Sequence, residues 1–180
     1  MSYYESFAPS RQTFAERHGT PSEFDAALGL IVVSFQELEA VIDEAIAAHF
    51  GGHSADVAIV TAELPFKARV HVLGALAHSK PFVGQAQPTE TSLSKLDELL
   101  GLCLFIEAER NRLLHSFWNP RHQADSTGLR LKRVSRKDGA REAKQVVSSG
   151  ELVDVADYVA YLATMLEEHF GLSFGAADHW

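Results

Sequence analysis

The chain has 180 residues, 46% of them hydrophobic and 22% charged, with a formal net charge of −8. That length suits one domain with a sizeable core, and near-average apolar and charged fractions argue against a disordered chain. No apolar run approaches the ~20 residues that span a bilayer, and the acidic balance argues against tight, non-specific binding to nucleic acid.

The single cysteine, Cys103, leaves no internal disulfide and points to a reducing, cytoplasmic setting. The first residues carry no basic stretch followed by an apolar run, so no secretory signal peptide is expected. The charge is unevenly spread. Ten of the sixteen Lys and Arg residues lie between Arg110 and Lys144, seven of them from Arg130 onward. A basic strip on an acidic body can contact phosphates, or can be a solvated hairpin of mixed charge.

Residues 1–19 show no clear period and are expected to form an arm. Residues 20–172 form one domain, and 173–180 a flexible tail. Thr20-Pro21-Ser22-Glu23 is a helix start, with Thr20 as cap, Pro21 at the first helical position and Glu23 completing a capping box. From Leu28 through Ile31, Phe35, Leu38, Ile42 and Ile46 to Phe50, apolar residues recur at three- and four-residue steps. That predicts an amphipathic helix of about 28 residues, stopped by Gly51-Gly52.

Ala55 to Ser79 is a second helical segment that Pro65 kinks or splits. Lys80-Pro81 ends it, and 80–90 reads as a loop. Thr91 or Ser92 can cap a third helix running to about Trp118, where Asn119-Pro120 breaks it. Then the period changes. Leu129 and Leu131 alternate with Arg130 and Lys132, and Val146-Val147 lies beyond an Asp138-Gly139 turn signal. This is a basic β-hairpin over about 128–148, or else a pair of extended arms or a disordered loop. Ser148 or Ser149 caps a last helix, Glu151 to Phe170, ended by Gly171. The expected architecture is mainly all-α: an up-down antiparallel bundle of four to five helices, with a small basic hairpin inserted before the last.

Near the end of the third helix stands Arg110-Asn111-Arg112-Leu113-Leu114-His115. At about 100° per residue, Arg110 and His115 are about 140° apart and Asn111 about 40° from His115. The three line one broad side of the helix and are not a complete catalytic cluster alone. They can line a groove, especially against a second copy. Cleaving RNA without a metal requires removing the ribose 2′-OH proton, stabilising a charged phosphorane and protonating the 5′-oxygen. An imidazole with a pKa of about 6.5 serves as base or acid, a guanidinium matches phosphate oxygens, and an amide orients either. Products would end in 2′,3′-cyclic phosphate, and DNA would be inert. The plain alternative is an ordinary helix end. There Arg110 pairs with Glu107 and Arg112 with Glu109, and Asn111 and His115 bond each other or the last carbonyls.

The run Glu109 to Ser116 resembles the signature of the HEPN superfamily: an Arg, a polar residue that is often Asn, and a His at the end of a long helix. Phe35-x-x-Leu38-Glu39 in the first helix and Leu64-Pro65-Phe66-Lys67-Ala68-Arg69 in the second are similar to flanking parts of that family. The resemblance covers roughly residues 22–170 as an architecture, and only the signature is specific. It implies an all-helical homodimer acting as a metal-independent endoribonuclease of the toxin, defence or RNA-processing type. The signature helices of two subunits would share one cleft. Carried over, Arg110 stabilises the phosphorane, Asn111 orients the site and His115 transfers protons. Arg112, Arg130, Lys132, Arg133, Arg136 and Lys137 are candidate contacts to the RNA backbone. The implied partners are a second copy, an RNA substrate and an antitoxin or regulatory protein. Some family members are silent, so the alternative is a helical module that binds a protein, a nucleotide or RNA.

No cofactor or metal is expected. The chain has no Cys-x-x-Cys and no His-Glu-x-x-His, and Gly51-Gly52 separates His49 from His53. Phe117 and Trp118 can stack a base, but the preferred reading has both closing the core at the helix end.

Overall fold

The computed structural model describes residues 22–51, 55–79, 81, 88–118, 127–133 and 142–172. Five helices and a three-stranded sheet are formed there: α1 (Glu23–His49), α2 (Ala55–Ala62), α3 (Phe66–Ser79), α4 (Glu90–Leu114), β1 (Phe117–Trp118), β2 (Thr127–Arg133), β3 (Glu142–Ser148) and α5 (Ser149–Phe170). The protein is thus a helical bundle with a small antiparallel sheet, as its periodicity predicts. The expected arm at 1–19 and tail at 173–180, the Asp138-Gly139 turn and the Asn119-Pro120 break lie outside the described residues.

Capping chemistry sets the helix ends. Ser22, not Thr20, caps α1, and its capping box closes through Asp25 rather than Glu23. With the cap at Ser22, the reciprocal acid three residues on is Asp25. Gly51, at φ 93°, turns the chain away after α1. Pro65 splits the second segment into α2 and α3. Thr89 caps α4, displacing Thr91 and Ser92 from that role. Ser148 caps α5 in a box with Glu151, and the bonds from the Ser148 N–H and hydroxyl hold the Glu151 carboxyl below its ordinary pKa.

The third helix stops one turn earlier than its pattern suggests. It ends at Leu114, and Phe117-Trp118 becomes an edge strand on β2. Two interactions favour the strand over another helical turn. The Trp118 indole N–H donates to the Leu113 carbonyl at 3.2 Å, and the ring meets Phe24 edge-on at 4.9 Å.

Two apolar clusters form the core. The larger takes Phe35 to Ile46 of α1, the buried face of α3, Leu96 to Ile106 of α4 and Val159 to Phe170 of α5. The smaller joins Phe24, Ala27 and Ile31 at the start of α1 with Leu113 at the end of α4, Val147 of β3 and Leu152 and Ala156 at the start of α5. So α1 and α5 run in one direction and α4 runs against them. At the opposite end, burial and then the charge of Lys95, near the start of α4, lower the pKa of His169 near the end of α5. Arg69 fastens α3 to α1, donating from Nη1 to Asp43 at 2.7 Å and from Nε to the Leu64 carbonyl at 3.0 Å. Burial, only partly offset by Arg69, raises the pKa of Asp43.

The sheet closes the end of the bundle where α1 and α5 begin and α4 finishes. Its order is β1-β2-β3, with Trp118 opposite Arg130 and Arg130 opposite Gln145. Gly128 is the close approach. A Cβ there would lie 2.4 Å from Phe24 Cζ, and that ring is fully buried against Trp118. Gly128→Ala is therefore expected to cost about 1–3 kcal/mol by overpacking. Urea unfolding followed by far-UV circular dichroism checks this, and wild-type stability would show that the ring can yield.

Candidate active site at the end of helix α4

Arg110 lies on the stripe of α4 that includes Cys103, Ile106 and Leu113, all buried. Its guanidinium carbon sits 4.9 Å from the centre of the Phe35 ring, a cation–π contact worth about 0.5–2 kcal/mol. Phe35 is itself packed on Phe66 at 4.7 Å. The expected pairing of Arg110 with Glu107 does not form. Among the described residues Arg110 has no ion pair, and its Nε is buried without a hydrogen-bond partner. What Arg110 does bond is its neighbour, Nη1 donating to Asn111 Oδ1 at 3.0 Å.

That bond orients the amide. Arginine only donates, so Asn111 must turn its oxygen toward Arg110. Its amide N–H2 then faces away, and it has no acceptor among the described residues. His115 is the C-cap of α4, at φ −91° and ψ 8°, with its backbone N–H on the Asn111 and Leu113 carbonyls. Its side chain is exposed and bonds neither Arg110 nor Asn111. One chain therefore supplies an amide oriented by a cation and, at the helix end, a separate solvent-facing imidazole.

Arg112 follows the plain expectation and pairs with Glu109, Nε to Oε2, at 2.7 Å. It also reaches Gln145 Oε1 of β3 at 3.5 Å. Arg130 of β2 is only 7% exposed. Its Nη1 donates to the same Gln145 oxygen at 3.2 Å, and its Nε to Ser116 Oγ. The Ser116 hydroxyl in turn donates to the Arg112 carbonyl. Burial, then the nearby charge of Arg112, lowers the pKa of Arg130, with Glu109 opposing. Lys132 and Arg133 fall on β2, whereas Arg136 and Lys137 lie outside the described residues. Ser116 and Gln145 take part here although neither is among the candidate site residues. Strand pairing brings Gln145 to Arg130, and the end of α4 brings Ser116 to it.

The two aromatic residues after the helix separate. Trp118 closes the smaller core cluster as expected. Phe117 does not, being 63% exposed on the outer face of the sheet, because neighbours on a strand point to opposite faces. Cys103 is no nucleophile: burial pushes its thiol up to about 12, so the thiolate is scarce near neutral pH. Among the described residues no group of three or more His, Cys, Asp or Glu is placed to hold a metal ion, and no helix is long and apolar enough to cross a membrane. No protein-family model, curated protein or solved structure matches the chain.

Proposed function

We propose that the protein is an endoribonuclease of HEPN type, working without a metal as a homodimer and leaving 2′,3′-cyclic phosphate ends. The observation that carries this reading is the Arg110–Asn111 pair. A cation with no carboxylate partner among the described residues holds the Asn111 oxygen and leaves its amide donor without an acceptor there, one turn from an exposed imidazole. A structural ion pair would have neutralised Arg110, and an orphaned buried donor costs about 1–3 kcal/mol. Such a cost is common at sites organised for chemistry.

In this reading Asn111 Nδ2 donates to a phosphorane oxygen, and Arg110 polarises the amide and adds positive potential behind it. This changes the role that the family resemblance implies for Arg110, from touching phosphate to acting through Asn111. His115 takes the 2′-OH proton, and His115 from a second copy protonates the leaving 5′-oxygen. The dimer is part of the proposal, because one exposed imidazole cannot act on both sides of the phosphorus at once.

A mixed RNA pool incubated with the protein in EDTA tests the reading. Cleavage that leaves cyclic phosphate ends and spares DNA of the same sequence is expected. Intact RNA across several substrates, with a folded dimer in hand, would overturn it. One observation favours a second reading, a catalytically silent interaction module. The outer sheet face exposes Phe117 and Val146 at 63% and 65%, as a protein-binding surface would. Stable binding without cleavage in that experiment would favour it.

A further inference from the structure

Behind the His115 end of α4 two guanidinium groups converge on one neutral atom. Gln145 Oε1 accepts from Arg130 Nη1 at 3.2 Å and from Arg112 Nη1 at 3.5 Å. Among the described residues one carboxylate serves the pair, Glu109, and its hydrogen bond goes to Arg112. Arg130 is more than nine-tenths buried, yet among the described residues it bonds only a hydroxyl and an amide oxygen. Counted over the described residues, two arginines face one glutamate in a partly dehydrated seam. A buried guanidinium without an anion is costly. Packing alone does not require this arrangement, because the hairpin is already held by Trp118, Val147 and Gly128 against Phe24.

We infer that Arg112 and Arg130 form a binding site for a phosphate oxyanion, in which Gln145 occupies the position of one anionic oxygen. Gln145 is exposed, so solvent reaches the side chain that a ligand would displace. An oxygen in its place keeps both Nη1 contacts, and the forked guanidinium groups suit the remaining oxygens. Arg130, its Nε anchored to Ser116, supplies a fixed donor. Arg112, a third exposed and leaning on Glu109, supplies an adjustable one. Because Ser116 follows His115 directly, the bound group would lie at the same end of α4 as the imidazole. The assignment of that group as an RNA phosphodiester rests on the ribonuclease reading, whereas the oxyanion site stands without it.

The test titrates the full-length protein with inorganic phosphate, then with a 2′-O-methyl oligoribonucleotide that cannot be cleaved. Binding is followed by calorimetry and by amide and guanidinium NMR shifts. Phosphate is expected to move the Arg112, Ser116, Arg130 and Gln145 signals, and the oligonucleotide to compete for the same site. Gln145→Glu keeps the shape but fixes a carboxylate between the two cations, and should weaken both ligands by roughly tenfold or more. Arg112→Gln should do the same, whereas Gln145→Ala removes the competing oxygen and should retain or tighten binding. Thermal unfolding checks that each variant is folded. No phosphate-dependent shifts at these residues, or equal affinity in wild type and Gln145→Glu, would overturn the site whether or not RNA is cleaved. Phosphate binding without competition by the oligonucleotide would keep the site and overturn its assignment to RNA. Phosphate binding in a protein that never cuts RNA would count against the ribonuclease reading alone.

Discussion

Replacing His115 with Ala should lower RNA cleavage by about 10²- to 10⁴-fold, the range that a positioned acid or base contributes, while leaving the fold intact. The structural half follows from where His115 sits. Its side chain is exposed and bonds neither site partner. Its capping role belongs to the backbone N–H, which donates to the Asn111 and Leu113 carbonyls and is unchanged in alanine. Surface changes of this kind stay within about 0.5 kcal/mol. The functional half follows from chemistry, because among the residues proposed to act only His115 carries an imidazole, the group that can both take and return a proton. The measurement compares single-turnover cleavage in EDTA for both proteins after matching oligomeric state and unfolding midpoint. Wild-type rates in the variant would remove His115 from the mechanism and leave the Arg110–Asn111 pair without a proton-transfer partner.

Phe35→Ala should cost about 3–5 kcal/mol of stability, as for other buried aromatics cut to alanine. That is a large share of the about 5–15 kcal/mol that holds a typical domain. Phe35 is 2% exposed and lies between the Phe66 ring at 4.7 Å and the Arg110 guanidinium at 4.9 Å. Its loss opens a cavity in the main cluster and removes the platform under Arg110. Phe35→Leu separates the two effects. Leucine refills most of the volume but offers no ring face, so stability should fall far less than in the alanine variant. Cleavage should still drop, because Arg110 no longer holds Asn111 in place. Urea denaturation and cleavage assays on both variants make the comparison. Equal cleavage by Phe35→Leu and wild type would show that the stack is structural and does not position the amide.

Phe35 also shows how much of the site is legible without a structure. Its place on a stripe with Leu28, Ile31, Leu38 and Ile42 marks it as core, because apolar residues at helical steps must be buried together. Nothing in that stripe says that the ring carries Arg110. The contact joins residues far apart in the chain, and the opposed directions of α1 and α4 decide it. Spacing places Arg110 and His115 about 140° apart on one broad side of the helix, whereas in the structure Arg110 turns inward and His115 caps the end. Local rules reach the Arg112–Glu109 pair, because three-residue spacing on a helix brings side chains together. They miss the free state of Arg110, where an aromatic face from another helix replaces Glu107.

The sheet marks the same boundary. Alternation over Leu129 to Lys132 and the valines of β3 identify a hairpin, because side chains on a strand alternate between faces. Register is another matter. A two-residue turn at Asp138-Gly139 would place Arg130 opposite Val147, but the chain pairs it with Gln145. Gly128 against Phe24, and Val147 within the smaller cluster, suit the observed pairing. By itself, then, the sequence determined the helices, the hairpin, the apolar stripes and the residue types at the end of α4, all set by periodicity and short-range chemistry. Only the tertiary structure decided that Arg110 rests on Phe35, that Phe117 leaves the helix for a strand, and that Arg112 and Arg130 meet at Gln145. Each of these depends on which distant surfaces are buried together, and no local spacing encodes that.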